Sequence, residues 1–205
     1  MVLGAHGAVA QTGIPMSRVG SRLEVMAGIN SAKFNQGDPD ARTGLVAGVG
    51  LIKPLAPNWA FQPELTYSMK GAKGSEEGVT ATIKLSYLEL PLLLRFDVPT
   101  QAGVHPFFQA GPALALKLSC DFALTDGTNS LSDSCGTVSG DFESDDAKTF
   151  DVGAMFGGGF AFKHMDHVVT IGLRYNVGLL DVFSDGGVKN RVLALVGSFE
   201  WPWGK

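Results

Sequence analysis

The fold of this chain is decided by two stretches near its end, VTIGLRYNVGL at residues 169–179 and KNRVLALVGSFEW at residues 189–201. In the first stretch every second position is apolar, and the positions between hold Thr, Gly, Arg and Asn; the second alternates in a similar way. A period of two sustained over about ten residues predicts a long β-strand with one apolar face and one small or polar face. The length fits a strand that crosses an outer membrane within a closed barrel, which needs about 9–11 residues.

Composition fits a barrel and excludes several other classes of protein. Charged residues make up 18% of the 205 residues and Gly accounts for 27 of them, against roughly 25% and 7% in ordinary domains. The net charge of −4, without a basic stripe, argues against nucleic acid as a partner. No uncharged apolar run reaches the ~18 residues of a membrane helix. A membrane barrel stays open, because each of its strands shows only half of its residues to lipid.

Eight strands are predicted, joined alternately by long and short connections. The strands cover approximately residues 22–30, 43–53, 59–69, 80–96, 105–120, 148–163, 167–179 and 189–201. Long polar connections fall near residues 31–42, 70–79, 121–147 and 180–188, and short ones near 54–58, 97–104 and 164–166. This alternation predicts an all-β, eight-stranded antiparallel up-and-down transmembrane β-barrel with short periplasmic turns and long external loops.

The fourth and fifth strands contain the features that fit this prediction least well. Apolar positions change phase within the fourth strand, which predicts a β-bulge near Ser86 and Tyr87. Pro91 and Pro112 are awkward in the middle of a strand, because each removes a donor from the hydrogen-bond ladder.

Two features indicate export from the cytoplasm. Ala8-Val9-Ala10 before Gln11 has the small-x-small form of a signal-peptide cleavage site, although the preceding residues lack a basic region. We therefore expect residues 1–21 to be a signal-peptide remnant with an N-terminal extension, and residues 22–203 to form the barrel. Cys120 and Cys135 flank a polar segment, which predicts a loop-closing disulfide worth roughly 3 kcal/mol. Two free thiols are the alternative.

The more polar face of the predicted strands carries isolated charges among small residues. Such a face suits the interior of an eight-stranded barrel, which side chains just fill. Charges placed there must pair, because burying a lone charge is costly. A soluble ligand-binding barrel, with the apolar face inside, is the alternative. The predicted lumen ion-pair network balances four acids against four bases: Arg22, Glu24, Glu64, Glu89, Arg95, Lys117, Arg174 and Glu200.

Aromatic and basic residues gather at opposite ends of the predicted strands. The aromatic set lies beside the short connections and predicts a periplasmic girdle, with ordinary core aromatics as the alternative: Trp59, Phe61, Phe96, Phe108, Phe160, Phe162, Phe199 and Trp201. The basic set lies near the outer strand ends: Lys33, Arg42, Lys70, Lys73, Lys148, Lys189 and Arg191. It indicates either contact with lipopolysaccharide phosphates or ordinary snorkelling at the membrane edge.

Several blocks of sequence resemble the PorT-like outer-membrane β-barrel family of Bacteroidetes and relatives. They are FQPELTYSMKGAK at 61–73, YLELPLLLRF at 87–96, PFFQAGP at 106–112, RYNVGL at 174–179 and KNRV at 189–192. The resemblance spans approximately residues 23–201 and makes Pro91 and Pro112 family features. It implies an outer-membrane barrel, in a family mostly of unassigned activity. The end of the chain departs from the family pattern, because WPWGK continues past the expected terminal aromatic residue.

No catalytic or metal-binding constellation stands out in the sequence. His164 and His167 flank a short turn with Asp166, but too few ligands converge there for a metal site. No Ser-His-Asp set can be assembled from strand positions. The glycine run at 157–159 lacks the helix and the Lys-Ser/Thr pair of a phosphate loop. We therefore predict no enzyme activity, no metal and no cofactor.

The sequence thus predicts a small bacterial outer-membrane barrel with a side-chain-filled lumen. It would serve as a structural, adaptor or surface-interaction component of an outer-membrane assembly. The expected partners are outer-membrane lipid, lipopolysaccharide, and an envelope protein met through the long external loops. The alternatives are a soluble ligand-binding barrel, a narrow pore for small solutes, and a lipid-acting barrel enzyme using Glu64, Glu89 or Arg95.

Overall fold

The alternating sequence forms β-strands through most of the described chain. The computed structural model describes residues 20–35, 40–76, 78–101, 103–126, 129–134, 148–182 and 187–204. Within these ranges the strands are β1 Arg22–Phe34, β2 Asp40–Ala56, β3 Trp59–Glu76, β4 Val79–Asp97, β5 Val104–Thr125, β6 Ser130–Ser134, β7 Phe150–His164, β8 His167–Gly178 and β9 Asn190–Pro202. Among the described residues there is no helix long and apolar enough to cross a bilayer.

Eight of these strands close into an antiparallel barrel. Strand neighbours run in the order β4-β3-β2-β1-β9-β8-β7-β5-β6, and pairing of β4 with β5 closes the ring. The short β6 lies outside that ring and adds to the far end of β5. Short turns join β2 to β3, β4 to β5 and β7 to β8, so both β1 and β9 have their free ends at the same short-turn end. The predicted fold class is confirmed.

The two faces of the barrel wall differ as a membrane barrel requires. Charged and amide side chains point inward and are buried, including Arg95, Glu200 and Gln62. Bulky apolar side chains point outward, and Ile29 and Leu45 are 53% and 59% exposed. The soluble alternative with the apolar face inside is therefore wrong.

The irregular features of β4 and β5 are accommodated without loss of the barrel. The register between β4 and β5 shifts by one residue between Ser86 and Tyr87, so the predicted position of a bulge is confirmed. The extra residue is Leu118 of β5, and β4 itself does not change phase, because Leu85, Tyr87 and Glu89 are all buried. Pro91 lies opposite Ala113, and the β4–β5 register is the same on both sides of it. Pro112 lies opposite Ala154 in the ladder that joins β5 to β7.

Two of the predicted long connections are wrong in part. Residues 70–79 are predicted as a polar loop, but β3 continues to Glu76 and pairs with β4 from Val79 onward, so only two residues join these strands. The segment expected to begin at residue 121 continues as strand to Thr125 and returns as β6. Polar composition predicted a loop there, but Asp121 to Thr125 pair with Thr80 to Lys84 of β4 on one side and with β6 on the other. Phe122 lies opposite Ile83 in this ladder, so the extension also brings two apolar side chains next to each other.

Two other predictions fall on residues outside the described ranges. The cleavage-site motif at residues 8–11 lies there, and so does most of the predicted extension. Cys120 lies in β5, whereas Cys135 is not among the described residues. The disulfide and the boundary at residue 22 therefore stay predictions.

Candidate functional site

The lumen near the short-turn end is filled by a network of four charged side chains. Glu200 on β9 accepts a hydrogen bond from Arg22 Nε at 2.8 Å and another from Arg95 Nη1 at 2.9 Å. Arg95 Nε also donates to Asp97 at 2.9 Å, and the guanidinium lies 4.3 Å above the ring of Phe107. All four charged residues are almost fully buried. We call this group the lower cluster.

The contact between Arg95 and Glu200 bridges opposite walls of the barrel. Their strands, β4 and β9, are separated by β3, β2 and β1 on one side and by β5, β7 and β8 on the other. They therefore lie across the full width of the eight-stranded ring. A contact at 2.9 Å across that width means that the charged side chains leave no open channel at this level.

A second cross-brace lies at mid-height. Arg174 on β8 donates two hydrogen bonds to Glu64 on β3, at 2.6 and 3.0 Å, and these strands are also diametrically opposed. Gln62 Nε2 lies 2.8 Å from a carboxylate oxygen of both Glu64 and Glu24. The forked pair is the geometry that gives a guanidinium–carboxylate contact its strength and direction. We call this group the middle cluster.

A third set of polar side chains lies nearer the long-loop end. Lys70 Nζ is 2.6 Å from Glu89 Oε1 and 4.8 Å from the ring centre of Tyr87. Asn176 donates to the same carboxylate at 3.3 Å. Between this set and the middle cluster lies a cavity of about 30 Å³, lined by Asn30, Ser68, Lys70, Glu89, Arg174 and Asn176 among others. That volume holds two or three waters at most, because a single water needs roughly 10–15 Å³.

An apolar plug covers the lumen at the long-loop end. Phe34, Ala72, Leu85, Tyr87, Ala115 and Val182 pack together and are buried. Val182 comes from the segment between β8 and β9, and its backbone is held in place from two sides. Lys148 N donates to Val182 O, and Val182 N donates to Val188 O, both at 2.7 Å. A loop residue therefore completes the closure of the barrel interior.

The structure brings together seven of the eight residues predicted for the lumen network. Lys117 is the exception and is only partly buried. Its neighbour Leu116 lies opposite Phe150, where β7 begins, so Lys117 stands just above the closed section of the barrel. Lys70 is buried in the lumen, although the sequence placed it in the outer basic set.

The predicted balance of charge in the lumen is wrong. The described residues bury four cations, Arg22, Lys70, Arg95 and Arg174, and six carboxylates, with Asp97 and Asp151 added to the predicted acids. Asp151 accepts a hydrogen bond from the side chain of Asn190 at 3.0 Å. Asp151 lies on the polar face of the predicted sixth strand, and Asp97 lies one residue beyond the predicted fourth strand. Both stand at strand ends, where a carboxylate is as often in a loop as in the lumen.

The predicted aromatic girdle residues all face outward near the short-turn end. Trp59 and Phe96 lie in contact, with ring centres 4.9 Å apart. The ring centre of Phe199 lies 5.1 Å from that of His167 and 6.1 Å from that of Trp201. The partly or fully exposed outward-facing set is Trp59, Phe61, Phe96, Phe108, Phe160, Phe162, Phe199 and Trp201. Phe107 instead points inward beneath Arg95.

Beyond the closed section, the described residues extend the wall on one side. Strands β3, β4 and β5 continue past the end of their neighbours, and β5 from Lys117 to Thr125 pairs with β4 and β6 rather than with β7. Nine residues of strand span roughly 30 Å at 3.3–3.4 Å per residue. The five residues of β6 are all exposed, Leu131 by 66%. We call this four-stranded extension the projecting sheet.

The described residues contain no assembly suited to metal or acyl-transfer chemistry. No group of three or more His, Cys, Asp or Glu side chains among them could hold a metal ion. His164 and His167 face each other across the β7–β8 turn, and both are exposed. Glu64, Glu89 and Arg95 are each engaged in lumen contacts and are at most 3% exposed. A lipid substrate therefore has no open route to them.

Comparison with known proteins gives one family and a set of similar folds. The family model described as "Outer membrane protein beta-barrel domain" matches residues 9–184. Neisserial surface protein A is similar in structure, with a TM-score of 0.54 and 14% identity over 89% of this chain and 97% of that one. For OprG from Pseudomonas aeruginosa the TM-score is 0.47 and the identity 14%, over 91% of this chain and 97% of that one. For Ail of Yersinia pestis the TM-score is 0.42 and the identity 13%, over 89% of this chain and 99% of that one. No curated protein sequence matches the chain at a significant level.

Proposed function

Because this chain belongs to the outer membrane protein beta-barrel domain family and lies in the bacterial outer membrane, we propose that it is a non-catalytic barrel whose function is carried by its projecting sheet. In this proposal the barrel is an anchor, and the sheet presents a surface to an envelope partner outside the membrane. Within the family we assign it to the PorT-like group, on the blocks at 61–73 and 87–96. The mature barrel in this proposal is residues 22–203.

The observation that carries the proposal is the contrast between a closed lumen and a long external extension. Buried cross-braces at two levels and an apolar plug above them leave a cavity of only about 30 Å³. A pore would need a continuous path, and an enzyme would need an accessible site. The projecting sheet, in contrast, displays polar edges and exposed apolar side chains, such as Leu131. The outward aromatic set then lies at the periplasmic interface, where aromatic girdles occur.

Site-specific crosslinking in cells tests the role of the projecting sheet. We expect a photo-crosslinking amino acid at Leu131 to give a discrete covalent adduct with one envelope protein. The matched control places the same amino acid at Leu45, which is 59% exposed on the outward face of the barrel wall. Lipid should surround Leu45, so no discrete protein adduct is expected there. Equal adduct patterns at the two positions, or none at Leu131, would contradict the proposed role of the sheet.

Conductance in planar bilayers tests the alternative of a narrow pore. We expect the purified, folded barrel to give no unitary current steps in molar salt, because charged contacts of 2.6–2.9 Å cross the lumen at two heights. The same preparation after heat unfolding serves as the control for contaminating porins. Steps of uniform size that disappear on heat unfolding would favour the pore for small solutes.

A further inference from the structure

Three basic side chains gather on the outward face where β1 and β9 reach the long-loop end. Lys33 lies directly opposite Arg191 in the β1–β9 ladder. Lys189 precedes Arg191 by two positions. Its backbone C=O accepts a hydrogen bond from Asn35 N at 3.1 Å, and its backbone N–H donates to Asn35 Oδ1 at 2.6 Å. The alternation of buried and exposed residues places Lys33 and Arg191 on the wall's outer surface. We call Lys33, Lys189 and Arg191 the β1–β9 basic cluster.

The height of this cluster matches the edge of the hydrocarbon layer. On β9 the outward positions from Trp201 to Leu193 are apolar or Gly, and Arg191 is the next one. Ten residues of a strand tilted by about 40° rise roughly 25 Å, which is the height of the apolar band on outer-membrane barrels. Phe199 and Trp201 stand at the other edge of that band. The cluster therefore lies at the level of the outer-leaflet headgroups.

The pairing of like charges distinguishes this cluster from the other outward lysines at the long-loop end. Lys73 lies opposite Asp40, and Lys84 lies opposite Asp121. Lys33 lies opposite an arginine, and like charges directly across a ladder destabilise it. None of the ion pairs between described residues involves the three cations of the cluster. An external anion would remove this repulsion.

We propose that the β1–β9 basic cluster binds a phosphate group of an outer-leaflet glycolipid. A phosphate offers several acceptor oxygens, which suit the planar fork of an arginine flanked by two lysine ammonium groups. Basic side chains near an anionic membrane surface contribute about 1 kcal/mol each. This inference needs the outer-membrane location but not the projecting sheet, so crosslinking at Leu131 can fail while lipid binding is observed.

Native mass spectrometry of the refolded barrel tests the proposal, with a diphosphorylated lipid A-type glycolipid as the probe. We expect the variant K33Q/R191Q to bind the probe about tenfold to thirtyfold more weakly than the wild type, since two contributions of about 1 kcal/mol correspond to that range. The matched control is K73Q/K84Q, which removes two outward lysines that face aspartates and should change binding less than about twofold. Heat-modifiable gel mobility confirms that each variant is folded.

The charge-reversal variant K33E separates lipid binding from a purely structural role. It converts the like-charge pair into an opposite-charge pair, so the thermal midpoint in lipid-free detergent should rise while binding of the probe falls. Removing both phosphates from the glycolipid should abolish the difference between wild type and K33Q/R191Q.

Several results would overturn the assignment. Equal binding by wild type and K33Q/R191Q would do so, as would an equal loss in K73Q/K84Q. Displacement of the glycolipid by inorganic phosphate at the same concentration would make this a free-phosphate site. Asp38 and Asp185 occur in the segments beyond β1 and before β9 and are not among the described residues. Probe binding that rises only in D38N/D185N would show that protein carboxylates already neutralise the cluster.

Discussion

Replacing Glu200 by Ala is expected to destabilise the barrel by about 3–5 kcal/mol, because it removes the carboxylate shared by two buried guanidinium groups. Glu200 is fully buried, and it contacts Arg22 at 2.8 Å and Arg95 at 2.9 Å. Without it, two cations in the narrow lumen lose the charge that offsets their desolvation. The free energy of unfolding should be measured by urea titration of the refolded barrel in lipid vesicles, followed by tryptophan fluorescence.

A matched control comes from the same face of the same strand. Ser198 is buried two residues from Glu200, and its hydroxyl lies 2.7 Å from that of Thr170. Ser198→Ala should cost about 2 kcal/mol, because it removes a hydroxyl that hydrogen-bonds both Thr170 and the carboxyl group of Glu24 but leaves every buried charge in place. Glu200→Gln, which keeps the shape and one acceptor, should fall between the two. If Glu200→Ala cost no more than Ser198→Ala, the lower cluster would not be a major source of stability.

The sequence was sufficient to predict the fold because the alternation of side chains within a strand does not depend on which strands it pairs with. Each strand of the barrel presents alternate residues to two different environments, so the pattern in residues 169–179 reports burial before any pairing is known. The irregularity near Ser86 and Tyr87 was located correctly but for the wrong reason. β4 keeps its alternation there, because Leu85, Tyr87 and Glu89 are all buried, and the inward apolar residues belong to the plug. The extra residue is Leu118 of β5. The identity of the inner face followed from charge, because isolated Glu and Arg residues do not tolerate hydrocarbon.

The partners within the lumen were not predictable from the sequence. Arg95 contacts Glu200 and Arg174 contacts Glu64 because β4 faces β9 and β3 faces β8 across a closed ring. Those contacts depend on the number, register and tilt of all the strands together, and the sequence of a single strand determines none of these. Lys70 shows the limit most clearly. It follows an inward-facing run in β3, but its position near a predicted loop indicated the membrane edge instead.

The projecting sheet was missed because polarity predicts a loop only where no partner strand is present. Residues 121–134 are rich in Ser, Asp, Thr and Asn, and a segment of this composition is ordinarily a loop. The long β4 supplies a ladder for Asp121 to Thr125, and β6 then pairs with β5 in turn. The strand state there comes from backbone hydrogen bonds between partners rather than from burial of an apolar face.

Arg174→Met is expected to lower the stability of the barrel by about 3–5 kcal/mol, and the loss should largely disappear when Glu64 is also replaced. The single change leaves Glu64 and Glu24 side by side, both within 2.8 Å of Gln62 Nε2, without the guanidinium that contacts Glu64 at 2.6 Å. In R174M/E64M the lumen gains two apolar side chains of similar reach, and one carboxylate is removed. Unfolding free energies of wild type, both single variants and the double variant form a complete thermodynamic cycle.

The cycle distinguishes a specific brace from general crowding of the lumen. If the forked contact is the stabilising feature, the coupling between the two positions should be about 2–3 kcal/mol, within the range seen for contacting residues. If packing volume alone matters, the two single losses should add to within about 0.5 kcal/mol, and the brace interpretation would be wrong. A coupled result has a functional consequence as well. A barrel whose opposite walls are joined by charge at mid-height is held closed by the same contact that stabilises it, so opening a path for solutes would require losing stability first.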